Sequence, residues 1–108
     1  MSLLLEYFPE LTGFQWDAGN SDKNWRAHDV SQAETEQVFF NRPIMVTPDL
    51  GHSQVEERFY VLGRTNAGRG LTIVFTLRNT LIRPIMARDM SRRERRLYRE
   101  QKNVEEAP

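Results

Sequence analysis

Cysteine is absent from the 108 residues, which removes disulfide frameworks, thiolate nucleophiles, iron–sulfur clusters and cysteine-ligated zinc together. That absence fits a reducing compartment, and a cytoplasmic location is the expectation. Histidine is nearly absent too. His28 and His52 are the only two, too few for a histidine-rich metal site, so no metal and no cofactor are expected. Long apolar runs are missing as well: the longest span three to four residues, against the ~20 a membrane helix needs. No membrane association is expected. Met1-Ser2-Leu3-Leu4-Leu5-Glu6 has no positive charge before its apolar patch and no small-residue cleavage site, so no signal peptide is expected.

A net charge is also lacking, because 15 Lys and Arg balance 15 Asp and Glu. The balance is uneven along the chain. Residues 1–57 hold ten acidic and three basic residues, a net of −7, while residues 58–108 hold five acidic and twelve basic, a net of +7. Thirteen of the 15 basic residues are arginine, the side chain suited to planar, bidentate contact with phosphate or carboxylate. A basic C-terminal half of this kind is either the footprint of polyanion binding or one half of an internally neutralised dipole.

Length supports one domain, and folding should bury roughly 65% of the unfolded chain's surface, enough for a core without staples. We expect a single domain over 1–100, with 1–12 as an apolar N-terminal extension and 101–108 as a disordered tail. Gly13-Phe14-Gln15-Trp16 alternates like a short strand. Asp17 stands where an N-cap would open a helix over 18–28. Ser31 and Glu34 form a capping box for a second helix reaching about residue 40. Strands are expected over 44–47, 58–62, 71–77 and 81–87, with turn chemistry at 65–68 and 78–80. Leu71, Ile73, Phe75 and Leu77 should share one face. Pro84 cannot donate to a ladder, so the last strand should be an edge or carry a bulge. Ser91 and Glu94 form a second capping box, opening a helix over 91–100. The fold class is α+β: a short strand and two helices, a four-stranded, largely antiparallel sheet, then a C-terminal helix.

Three clusters of residues occur in a fixed order. Phe14-x-Trp16-Asp17 leads to Asn24-x-x-x-His28, Val30-Ser31 and Val38-Phe39. Glu57-Arg58 is followed by Gly63. Arg83-x-Ile85-x-Ala87-Arg88 is followed by Glu94 and Tyr98. Together they resemble the BrnT family, the toxin half of the BrnT–BrnA type II toxin–antitoxin pairs, over roughly residues 14–98. The chain departs from that family's usual pattern at Ala18, Asn20 and Ala27, at Asp29, where glycine commonly follows the histidine, and at Pro84 and Met86, which interrupt the pattern of the last strand. The resemblance implies a fold similar to the RelE ribonucleases and metal-independent RNA cleavage. It also implies a BrnA-like ribbon-helix-helix antitoxin as partner, with operator DNA reached only through that antitoxin. A homodimer or a hetero-oligomer is compatible with it.

RNA can be cut without metal when its own 2′-OH attacks the neighbouring phosphorus. A protein then has to move two protons and stabilise charge on the phosphate oxygens. Arg58, Arg83 and Arg88 suit the last task, and edge-strand charge is their structural alternative. A bulge at Pro84 would bring Arg83 and Arg88 to one face. Glu57, His28, Glu94 and Tyr98 are the proton-transfer candidates. Each has a plain alternative: partner to Arg58, helix-end hydrogen bonder, capping residue, and core aromatic. Lys23, Arg92, Arg95 and Arg99 are candidate RNA-binding residues, the last three within an arginine-rich helix that could track phosphates. A non-catalytic toxin-fold module that binds an antitoxin and serves in a DNA-binding repressor complex is the rival reading.

Overall fold

A computed structural model of the chain describes residues 10–49 and 56–106. Its elements run β1 (Gly13–Phe14), α1 (Lys23–His28), α2 (Gln32–Val38), β2 (Met45–Pro48), β3 (Arg58–Arg64), β4 (Gly70–Arg78), β5 (Leu81–Asp89) and α3 (Arg92–Glu106). The α+β class stands, but the sheet has five strands and is mixed. Its order is β1-β5-β4-β3-β2. The meander from β2 to β5 is antiparallel, and β1 joins the outer edge of β5 in parallel through Gly13–Leu81 and Phe14–Ile82. The added strand is short for a physical reason. Pro84 offers no N–H, so backbone pairing gives way to a side chain: Nδ2 of the buried Asn20 donates to the Pro84 carbonyl at 2.9 Å and to the Gln15 carbonyl at 3.0 Å.

The first helix is shorter than the expected 18–28. Asp17 does not cap it; residues 17–22 form turns in which the Asp17 carbonyl accepts from Asn20 and Ser21. The run Asp17-Ala18-Gly19-Asn20-Ser21-Asp22 is rich in side chains that bond nearby backbone, and these compete with helix. Both capping boxes are formed, with reciprocal bonds between Ser31 and Glu34 and between Ser91 and Glu94. The helix that Ser31 opens ends at Val38 rather than 40, where Phe39 and Phe40 turn back onto the carbonyls of Glu36 and Gln37. The last helix runs through Glu106, past the expected end near residue 100. No glycine or proline interrupts it, and Glu, Gln and Lys favour helix there. The last strand likewise runs to Asp89 rather than 87. Residues 1–9, residues 50–55 with His52, and residues 107–108 lie outside the described residues.

Two cores flank the sheet. On one face Val30, Val38 and Phe39 pack against Phe59, Val61, Leu71, Ile73, Phe75, Ile82 and Ala87. Phe39 stands edge-on to Phe75 with centroids 5.3 Å apart, and Phe59 stacks on Phe75 at 5.4 Å. The α2–β3 approach is close enough to require glycine at 63, where a Cβ would fall 2.6 Å from Val38 Cγ1. On the other face α3 covers only one end, through Leu62, Met90 and Tyr98 with Met45 beside them. The rest of that face carries the side chains described next.

Candidate functional site

Alternation sends Leu71, Ile73, Phe75 and Leu77 of β4 toward the helical layer and leaves Thr72, Val74 and Thr76 on the second face. Cross-strand partners share a face, so β3, β4 and β5 carry three rows there: Arg58–Thr76–Arg83, Tyr60–Val74–Met86 and Leu62–Thr72–Arg88. Five residues separate Arg83 from Arg88, and in an unbroken strand they would point to opposite sides. The register breaks between them: Val74 pairs with Met86 and Phe75 with Pro84. Ile85 is therefore the extra residue of a β-bulge next to Pro84. Arg58 and Arg83 already share a row, and that one insertion brings Arg88 to the same face, as the bulge expected at Pro84 would do.

Arg83 and Arg88 are held by carboxylates supplied from outside the strand. Arg83 donates to Asp17 at 2.7 Å, and its side chain is only 14% exposed. The Arg83 bond, helped by the Gly19 N–H at 2.8 Å, keeps the Asp17 carboxyl below its usual range. Arg88 makes a fork with Glu94, at 2.7 and 3.1 Å. Glu94 also accepts from the Ser91 N–H at 2.7 Å and the Thr72 hydroxyl at 2.9 Å. Burial alone would raise the Glu94 pKa. Arg88, the Ser91 N–H and Thr72 outweigh it and hold the carboxyl at about 2. Glu94 is thus an ionised anchor for Arg88 at neutral pH.

Other expected residues are placed elsewhere. Tyr98 is buried, and its hydroxyl donates to the Pro43 carbonyl at 2.7 Å, docking α3 onto the body. His28 ends α1 within the helical layer, and its carbonyl accepts from Arg69 at 3.3 Å. Arg69 also binds Asp89, Glu34 and the Asp29 carbonyl. Asp89 alternates with Arg88 and faces the opposite side of the sheet, so His28 is grouped there rather than with the arginine rows. Glu57 is exposed just before β3, and its carbonyl accepts from Thr76 at 2.7 Å. Arg92, Arg95 and Arg99 are exposed with Arg96 on the side of α3 away from the sheet. Lys23 opens α1; its side chain lies outside the described residues.

Sequence reasoning overlooked four members of this face. Tyr60 lies two residues from Arg58, a spacing that fixes a shared face in any strand. Thr72 and Thr76 are the alternate positions to the apolar stripe of β4. Asp17 was expected to cap a helix. A groove of about 480 Å³ opens beside the rows, between β2, β3 and α3, with Met45, Tyr60, Leu62, Arg93, Glu94 and Leu97 among its walls. Among the described residues, no group of three or more His, Asp or Glu stands as a metal-binding cluster, and no helix is long and apolar enough to cross a membrane.

The family model described as the ribonuclease toxin, BrnT, of type II toxin–antitoxin systems matches residues 16–94. No curated protein matches the chain.

Proposed function

The chain belongs to the BrnT family of ribonuclease toxins of type II toxin–antitoxin systems, and from that premise we propose that the sheet face bearing these arginines cuts RNA without a metal ion. The observation that supports this is the bulge at Ile85, which sets Arg58, Arg83 and Arg88 on one face. Guanidinium groups there would bind the scissile phosphate and stabilise the charge that builds on its oxygens. In the reaction the RNA 2′-oxygen bonds to phosphorus as its proton passes to a base. The bond from phosphorus to the 5′-oxygen breaks, and that oxygen leaves as a hydroxyl with a proton from solvent. The products are a 2′,3′-cyclic phosphate and a 5′-hydroxyl.

Glu57 is the base we assign: it is exposed one residue before Arg58, ahead of the start of β3 and so outside that strand's alternation. Glu94, held at about 2, is too weak a base and serves as the positioning residue for Arg88. A toxin of a type II pair has a protein antitoxin as partner, and we assign it the BrnA-like ribbon-helix-helix class. The outer ridge of α3, with Arg92, Arg95 and Arg99, is the added phosphate track.

The purified chain incubated with RNA, with and without EDTA, tests this reading. Cleavage should survive EDTA and leave 5′-hydroxyl ends, and DNA should remain intact. Arg83→Ala and Arg88→Ala should each lower cleavage more than tenfold, since a charge-assisted contact made in the transition state is worth roughly 1.5–3 kcal/mol. Products with 5′-phosphates, or activity abolished by EDTA, would refute it. One observation favours a second reading. Asp17 and Glu94 already neutralise Arg83 and Arg88, as suits a non-catalytic module that binds an antitoxin within a repressor complex. Antitoxin binding with no RNA cleavage under any condition would decide for that one.

A further inference from the structure

The groove beside the arginine rows is not absorbed by the phosphate chemistry. Met45 of β2 with Tyr60 and Leu62 of β3 line it from the sheet, and Arg93 and Leu97 line it from α3. Leu97 is one of the exposed large apolar side chains, at 43%, so the groove joins an apolar side chain of the helix to an aromatic ring of the sheet. The position of Tyr60 is specific. It lies two residues along β3 from Arg58, about 7 Å away, and one row from both Arg58–Thr76–Arg83 and Leu62–Thr72–Arg88. A single nucleotide covers that span.

Resting on the ribonuclease reading of this face, we propose that the groove is a nucleobase subsite, in which the base next to the bound phosphate stacks on Tyr60, with Met45 of the sheet and Leu97 of the helix as its apolar neighbours. Volume and chemistry agree. A space of about 480 Å³ admits one base with its ribose. An aromatic platform beside cationic side chains is the recurring arrangement for single-stranded RNA, sequence-tolerant because every base has a π-face. The same reasoning makes Tyr60→Phe conservative, since the ring and not the hydroxyl does the stacking.

Binding to RNA that cannot be cut separates this subsite from the catalytic reading. The probes are two 2′-O-methyl oligomers of equal length, one of adenylate and one an abasic ribose-phosphate chain, so that phosphate contacts are shared and bases are not. The wild-type chain and Tyr60→Phe should bind the adenylate oligomer about five- to a hundredfold more tightly than the abasic one, the range for one stacked base. Tyr60→Ala should lose that preference while keeping its affinity for the abasic chain. A 2-aminopurine in place of one adenine should be quenched by the wild type and not by Tyr60→Ala. Equal affinity for the two oligomers in the wild type overturns the subsite, as does a preference that survives Tyr60→Ala. If Tyr60→Ala instead weakens only antitoxin binding, the groove is a protein-docking surface and the proposal fails. Failure of cleavage with these binding results intact would overturn the catalytic reading and leave the subsite standing.

Discussion

Glu94→Gln should cost stability in a manner that depends on pH. In the folded chain Glu94 accepts two bonds from Arg88, one from the Ser91 N–H and one from the Thr72 hydroxyl, and its pKa falls from 4.5 to about 2. Because the folded pKa is the lower one, the charge stabilises the fold above the unfolded value, and the contribution disappears as pH falls toward the folded value. The shift is worth about 3 kcal/mol at neutral pH, about 2 of which should be gone by pH 3. Glu94 is 20% exposed and Arg88 32%, so solvent screens the pair only in part. Glutamine keeps acceptor capacity for one or two of the four donors but not the charge. Urea unfolding followed by tryptophan fluorescence from pH 7 to pH 3 is the assay. The wild type should exceed Glu94→Gln by a few kcal/mol at pH 7, and the gap should shrink steadily toward pH 3. A gap that stays constant across this range would refute the account of Glu94 as a charged anchor.

Three further outcomes are expected. Gly63→Ala should destabilise by about 1–3 kcal/mol, because the new Cβ would fall 2.6 Å from Val38 Cγ1; an unchanged melting temperature would contradict the close α2–β3 packing. Asp29→Gly should leave the melting temperature equal or raise it by a few degrees, since Asp29 has φ of 54° and glycine takes that conformation without a Cβ penalty; a loss of several degrees would show that the aspartate side chain matters there. Tyr98→Phe should cost about 1–2 kcal/mol by leaving the buried Pro43 carbonyl without its donor, yet leave cleavage per folded molecule unchanged, and a cleavage loss beyond the folded fraction would restore Tyr98 as a catalyst.

Much of the fold was legible because short-range chemistry determined it. The two capping boxes, the stripe from Leu71 to Leu77 and the turns at 65–68 and 78–80 each depend on residues within a few positions of one another. The strand β1 was harder to place, because its pairing with β5 joins residues 68 positions apart. Asp17 shows the same difficulty. Its local neighbours suggested an N-cap, but its carboxylate is taken by Arg83, 66 positions away. The bulge was only half legible. Pro84 announced an irregularity, and register against β4 was needed to place the extra residue at Ile85. Asp29 carried a readable signal of another sort: at a position where the family commonly has glycine, the backbone has positive φ. Tyr60 could have been found by carrying the two-residue period forward from Arg58. It was hidden because a tyrosine within Phe59-Tyr60-Val61-Leu62 looks like part of an apolar run.

The bounds of the family match bear on how the arginine face is held. The matched segment begins one residue before Asp17 and ends at Glu94, and these two carboxylates fix Arg83 and Arg88 from opposite ends of the chain. Neither partner lies in the strand that carries the arginines. A turn after β1 supplies one and the first turn of α3 the other, so the face is complete only when both ends of the domain have docked on β5. Arg95, Arg96 and Arg99 lie beyond the matched segment, on the side of α3 away from the sheet. They can strengthen long-range attraction of a polyanion, but they do not build the face. Charge removal on the outer ridge and loss of either carboxylate should therefore differ in kind. The first weakens salt-sensitive association with RNA; the second frees a guanidinium from its fixed direction and lowers turnover at saturating RNA, because a misdirected donor fails where charge develops.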